Sequence, residues 1–275
     1  MTPPPPEPEP ESVADRFAAA ARDGRPDLAE LCLLIGARAD PALDGTAADL
    51  AQIELDRLAG LLPHGLHTPA QWAAALHRVL GRGHGFHGTP GDYRLLASSL
   101  LQEVLRRRRG LPILLSVVWI EVARRAGAPV YGVALPGHFV VGIGEPDGEH
   151  VLVDPFDFGR VMSRDDAELL AGGTDSYGPA DPLDVVQRVL ANIRVWAAPR
   201  PEHRGVQLWS LDLTLLLPRH PAKLRYERAQ LLVTMGDFLG GAAELDSYAD
   251  IIGAFDPETA ETIHRQARSA RAHLN

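Results

Sequence analysis

The chain has 275 residues, 45% hydrophobic and 23% charged, which supplies a sizeable core and excludes disorder along its whole length. Its 27 basic and 36 acidic residues leave a formal charge of −9, which argues against a protein built to coat nucleic acid or an anionic membrane. One cysteine, Cys32, excludes an intramolecular disulfide framework and any Cys-rich metal centre, and confines thiol chemistry to a single side chain.

Residues 1–11 alternate proline and glutamate, the composition of an extended, solvated tail. They lack the basic start and apolar run of a secretory signal, and no stretch reaches the ~20 apolar residues of a membrane span. The expectation is a soluble, cytoplasmic protein. From Ser12, a predicted N-cap with Asp15 three residues on, apolar residues recur at helical intervals: Phe17; Leu28, Leu31, Leu34 and Ile35; then Leu50, Ile53, Leu55, Leu58, Leu61 and Leu62. Pro63-His64-Gly65 ends that run. A further helix carries Trp72, Leu76, Val79 and Leu80 up to the glycine-rich stretch Gly81 to Gly88. That stretch lacks the strand–turn–helix setting of a nucleotide loop.

The next predicted helix, Leu95 to Leu105, meets the basic run Arg106 to Arg109, read as a solvated helix end favoured by the C-terminal dipole. Gly110 breaks it, and Pro112 suits the first turn of a second helix. That helix, Ile113 to Ala126, is apolar on nearly every side, so it is predicted to be buried, with Gly127 as its stop. Three β-rich runs follow, 129–135, 138–143 and 151–154, the last two joined by a turn at Glu145 to Gly148. After Gly172-Gly173-Thr174 and Tyr177-Gly178-Pro179 the chain reads as helix to its end: Asp184 to Val195, Val206 to Leu217, Ala222 to Met235, Phe238 to Ile252 and Glu258 to His273. The spacing is near the ~34 residues of a tetratricopeptide unit, with Tyr226, Ala229, Leu232, Gly236, Phe238, Ala242 and Ala243 at packing positions. The fold class is therefore α+β: a central buried helix on a small antiparallel sheet, preceded by helices and followed by an all-α helical-repeat tail. The predicted divisions are 1–11, 12–180 and 181–275.

Chemistry concentrates between Arg109 and Pro155. His138 opens one strand and Asp154 closes the next, each eight residues from Pro146. A hairpin centred on Pro146 or Asp147 has positions summing to about 292 opposite each other, which would place the two residues opposite on one face. A carboxylate beside an imidazole fixes its tautomer and raises its basicity, two thirds of a nucleophile–base–orienter triad. The helix start at Pro112 is the third location, where free N–H groups would acidify a thiol or hold an anion.

Gly110-Leu111-Pro112-Ile113-Leu114-Leu115-Ser116, Glu121 through Gly127, Pro136-Gly137-His138-Phe139 and Asp154-Pro155-Phe156 together resemble the transglutaminase-like core of the bacterial SirB-one family, whose layout includes a helical tail with a tetratricopeptide unit. The resemblance implies a papain/transglutaminase-like core in which His138 and Asp154 hold the family's His and Asp positions. In the wider superfamily the nucleophilic cysteine stands at the head of the central helix, about fifteen residues before its terminal glycine. Here that position is Pro112, which cannot attack anything. Asp92-Tyr93 matches a further family feature, whereas the usual asparagine-serine pair after it reads Ser98-Ser99.

Cys32 has no positional claim to the nucleophile's role, and Ser116, one turn past Pro112, is the only nearby hydroxyl. Its place in an apolar helix favours a helix or backbone hydrogen bond. Two readings stand. The first is a non-catalytic transglutaminase-like protein that binds a protein or peptide through its helical tail. The second is a hydrolase or acyltransferase on an amide or ester, using His138 and Asp154 with Ser116 or an activated water. Neither calls for a cofactor. His64, His67, His77, His84 and His87 lack paired metal-ligand spacing. Trp119 is read as core, with Trp196 and Trp209 packing at the domain junction. Oligomeric state is left open.

Overall fold

A computed structural model gives the fold and describes residues 11–41, 43, 45–171 and 178–274. The extended-tail expectation, Glu11 excepted, and the Gly172 to Tyr177 joint lie outside the described residues. Helices α1 (Val13–Ala21), α2 (Leu28–Ala39), α3 (Gly45–Ala59), α4 (Pro69–Leu76) and α5 (Leu101–Arg107) lead to the central α6 (Pro112–Arg125). Then come β1 (Val130–Leu135), β2 (His138–Gly144), β3 (His150–Asp154), β4 (Arg160–Val161) and α7 (Arg164–Ala171). The chain continues as α8 (Pro182–Ala197), α9 (Arg204–Leu216), α10 (Lys223–Thr234), α11 (Phe238–Ile252) and α12 (Pro257–Ala272). The α+β class holds: a four-stranded antiparallel sheet in the order β1-β2-β3-β4, flanked by helices, with an all-α helical repeat region at the C-terminal end.

Proline occupies the first position of α6, where its missing N–H has no intrahelical partner to lose. Every residue from Pro112 to Ala123 is buried, as an all-round apolar helix requires. Leu114, Val118 and Trp119 of α6 share one core with Phe139, Val141, Ile143 and Val153 of the sheet. Strand alternation sends Val140 to the opposite face, where it meets Val133, Leu135 and Met162. Val186, Leu190 and Ile193 of α8 and Leu213 of α9 join the main core, while Ala229, Ala242, Leu245, Ala249, Ile263 and Ala267 make a separate one within α10 to α12. The alanines there let helix backbones approach closely.

Four expectations are corrected. In α3 the inward stripe is Ala51, Leu55, Leu58 and Ala59, so Leu50 and Ile53 face solvent, as does Leu61 just past the helix. The α4 helix does not stop at the glycines but continues as a π-helix, His77–Gly83. The helix expected from Leu95 begins only at Leu101. Leu96–Ser99 is a 3-10 turn, because the Ser98 hydroxyl is drawn to Asp92 and its carbonyl to the Leu111 N–H. The arginine run is not a free solvated end: Arg106 pairs with Glu103, Arg107 and Arg109 with Asp92, and Arg108 with Glu54. Strand β4 and helix α7 were not predicted. Trp119 is fully buried, as read. Trp209 is buried too, and the Trp196 indole N–H donates to the Arg94 carbonyl at 2.9 Å.

Candidate functional site

Pro136-Gly137 is the two-residue turn between β1 and β2, with Gly137 at φ 70°, so His138 is the first residue of its strand, paired with Leu135. The second hairpin pairs Val141 with Val153 and Gly144 with His150, and the Glu145 N–H meets the Glu149 carbonyl. Its centre is therefore Asp147. Continuing that register sets Asp154 opposite Val140, two residues from His138, not directly opposite it as expected. A slip of two keeps both side chains on one face, and the contact survives along the diagonal: His138 Nε2 lies 2.9 Å from Asp154 Oδ2.

Both side chains are mostly buried, 14% and 12% exposed. Asp154 is held from its other side by the Phe156 N–H, which donates to Oδ1 at 2.9 Å, and its carbonyl accepts from the Gly159 N–H. The carboxylate selects the imidazole tautomer with its proton on Nε2. Nδ1 is left as a lone pair, and among the described residues no hydrogen bond reaches it. Phe156 presents its ring to His138 edge-on, centroids 6.1 Å apart. That ring fits because Gly88 has no side chain: a Cβ there would collide with it. The Gly88 N–H also donates to the Phe156 carbonyl at 2.9 Å.

Pro112 stands at the head of α6. Ser116 donates its hydroxyl to the Phe139 carbonyl at 3.2 Å in a fully buried setting. Helix α6 is thus tied to β2 by the backbone bond that an apolar helix favoured, and no hydrogen bond joins Ser116 to the His138 ring. Cys32 lies in the core on α2. Burial drives its thiol pKa far up, and the charges of Glu121 and Asp27 add to the shift, the opposite of an activated nucleophile.

Three further residues shape the site, of which only Tyr93 was noted beforehand, as part of a family feature. Arg188 of α8 donates from Nη2 to the carbonyls of Leu135 (3.0 Å) and His138 (2.8 Å), and its guanidinium lies over the Phe139 ring. Burial lowers its pKa, while nearby Tyr93 acts to raise it. The Tyr93 ring packs against Phe156 at 6.2 Å, and burial raises its phenol, with Arg188 opposing and Asp154 adding. Arg109, read only as part of a basic run, meets Asp92 at 2.9 Å. Burial pushes Asp92 upward, yet hydrogen bonds from Arg109 and Thr89 hold its carboxyl below the ordinary value. These contacts fix the 89–98 segment beside the head of α6.

The histidines of the glycine-rich region serve the backbone: His77 meets the Phe158 carbonyl, His84 that of Val79 and His87 that of Gly85. Among the described residues no three His, Cys, Asp or Glu side chains converge as a ligand set. No helix among them is long and apolar enough to cross a membrane.

Residues 49–191 match the family described as the transglutaminase-like superfamily. The chain is 34% identical over 194 residues to a UPF0162 protein of Xylella fastidiosa (strain 9a5c), covering 65% of this chain and 67% of that one. It is 26% identical over 153 residues to UPF0162 protein YchA of Escherichia coli (strain K12), covering 51% of this chain and 56% of that protein. It is also 28% identical over 183 residues to F-box only protein 21 of Mus musculus, covering 62% of this chain and 29% of the mouse protein.

Proposed function

Because the chain belongs to the transglutaminase-like superfamily and is related to bacterial UPF0162 proteins, we propose that it is a non-catalytic member of the SirB-one type. In this reading it acts by binding a protein or peptide, and His138 and Asp154 brace the fold. One observation carries the reading: the head of the central helix, where a thiol would stand to use the free N–H groups and the imidazole, is Pro112. Proline has no acidic proton to surrender and no nucleophilic atom. The two other nucleophile candidates are otherwise engaged, Ser116 with the Phe139 carbonyl and Cys32 in the core.

The His138–Asp154 bond then has a mechanical role. It ties the first residue of β2 to the last of β3, and the Phe156 N–H extends the tie into the following turn. Its proposed partner surface is the helical region, read as tetratricopeptide-like over 181–275 beside a transglutaminase-like domain over 12–180. There Leu239 (63%) near the start of α11, and Ile251 (49%) and Phe255 (89%) at and past its end, are exposed large apolar side chains that a partner lying along the helix would cover. A cytoplasmic setting belongs to the same proposal.

The competing reading is hydrolysis of an amide or ester by a water that His138 Nδ1 activates. The free lone pair on that nitrogen is the feature in its favour. The test pairs two readouts on the full-length protein. His138→Ala should leave partner capture intact and change no turnover across an amide and ester panel. Leu239→Glu with Phe255→Glu should abolish capture while leaving the melting temperature unchanged. Loss of measurable turnover in His138→Ala would establish the hydrolase instead, and capture that survives the double substitution would remove the helical region from the proposal.

A further inference from the structure

A cavity of about 720 Å³ lies between α4 with its π-helical continuation and the strand–turn segment around Val151 and Asp157 to Val161. Its size falls within the range of small-molecule sites. One wall is made by Ala70, Ala73 and Ala74, one face of a helix on which only methyl groups project. Phe158, Val151 and Val161 close the apolar lining.

The opposite rim is polar and is built by the π-helix. Gly81 lets the turn approach, since a Cβ there would strike the Phe158 carbonyl. Phe158 itself sits in the left-handed region at φ 54°, held by stacking on His87 at 4.2 Å and by its carbonyl 2.8 Å from His77 Nδ1. π-Helical winding stacks residues five apart, which brings Arg82 over His77, with Arg82 Nε donating to His77 Nε2 at 3.4 Å. The carbonyl at Nδ1 takes that nitrogen as its donor, which leaves Nε2 to face Arg82 as an acceptor. Arg160, the other cation in the wall, is matched by Asp157 and Asp166. Among the described residues no carboxylate pairs with Arg82, so the apolar alanine wall runs out to a solvent-facing guanidinium that has no carboxylate partner.

We propose that this cavity binds a small aliphatic monocarboxylate, its carboxylate on Arg82 and its hydrocarbon chain along the alanine face and Phe158. An Arg–carboxylate contact gives directional, charge-assisted recognition, and the alanine face gives length selectivity without polar contacts. The site is separate from the His138–Asp154 pair and does not depend on the function proposed above.

Calorimetric titration of the full-length protein with octanoate and with octanamide tests it. Octanoate should bind at least about tenfold more tightly than the neutral amide. Arg82→Gln should erase that difference, and Ala74→Phe, at a solvent-facing helix position, should weaken both ligands about tenfold or more by filling the cavity. Ala70→Phe makes the same test on the same face should Ala74→Phe fail to fold. No octanoate binding, equal affinity for acid and amide, or octanoate affinity unchanged by the filling substitutions in folded protein would overturn the proposal.

Discussion

Arg188→Met isolates the link between the helical region and the strand that carries His138. Methionine keeps much of the side-chain stem over Phe139 and removes the guanidinium. Two hydrogen bonds are lost, to the carbonyls of Leu135 and His138. Bonds from a charged donor contribute about 1.5–3 kcal/mol each, a gross value of about 3–6 kcal/mol. Burial disfavours the guanidinium's charge and lowers its pKa, and this offsets part of the gain. A net loss of about 2–3 kcal/mol remains, or about 5–10 °C in melting temperature for a protein of this size. Hydrogen exchange localises the effect: amides at Gly137 to Phe139 should lose protection before those of α6. Arg188→Lys, with one compact ammonium in place of a fork, should fall between. A variant that melts within about 1 °C of the parent, with unchanged exchange at that turn, would refute the clamp.

Ser116→Ala should cost about 1 kcal/mol in urea unfolding by removing the buried donor to the Phe139 carbonyl, and should alter no catalytic readout. Gly88→Ala should cost about 2 kcal/mol or more in thermal melting, because the new methyl collides with the Phe156 ring. Glu54 tests pH dependence. The hydrogen bond from Arg57, joined by that from Arg108 and by both positive charges, outweighs burial and lowers its pKa from 4.5 to about 2. A depressed carboxyl pKa stabilises the fold above the unfolded value and ceases to do so as pH falls through the folded one. Glu54→Gln should therefore be less stable than the parent by on the order of 1 kcal/mol at pH 6, after solvent screening. The two acid-unfolding curves should converge near pH 2. A constant gap down to that pH would refute the assignment.

The His138–Asp154 pair was legible because pairing across a hairpin depends on parity: the centre lies at Asp147, the second of the two expected positions, and the resulting slip of two residues leaves both side chains on the same face. Pro112 and Gly127 marked the ends of α6 because each has a backbone reason to stand there. Arg188 was not legible, since its two acceptors lie 50 and 53 residues away and carbonyls leave no trace in sequence. The glycine-rich stretch was read only for what it lacked. Its purpose is tertiary: Gly81 and Gly88 admit the turn that follows Asp154. The late start of α5 arose from Ser98, whose side chain competes locally for a buried carboxylate that periodicity alone cannot register.

In the proposed function, His138 and Asp154 keep the places of a base and its orienter while Pro112 leaves the nucleophile's place empty of chemistry. The most direct measurement is turnover of an amide and ester panel by the purified full-length protein beside His138→Ala, at matched concentration and with both shown to be folded. The two should be indistinguishable at every substrate. Turnover by the parent that disappears in His138→Ala would contradict that proposal.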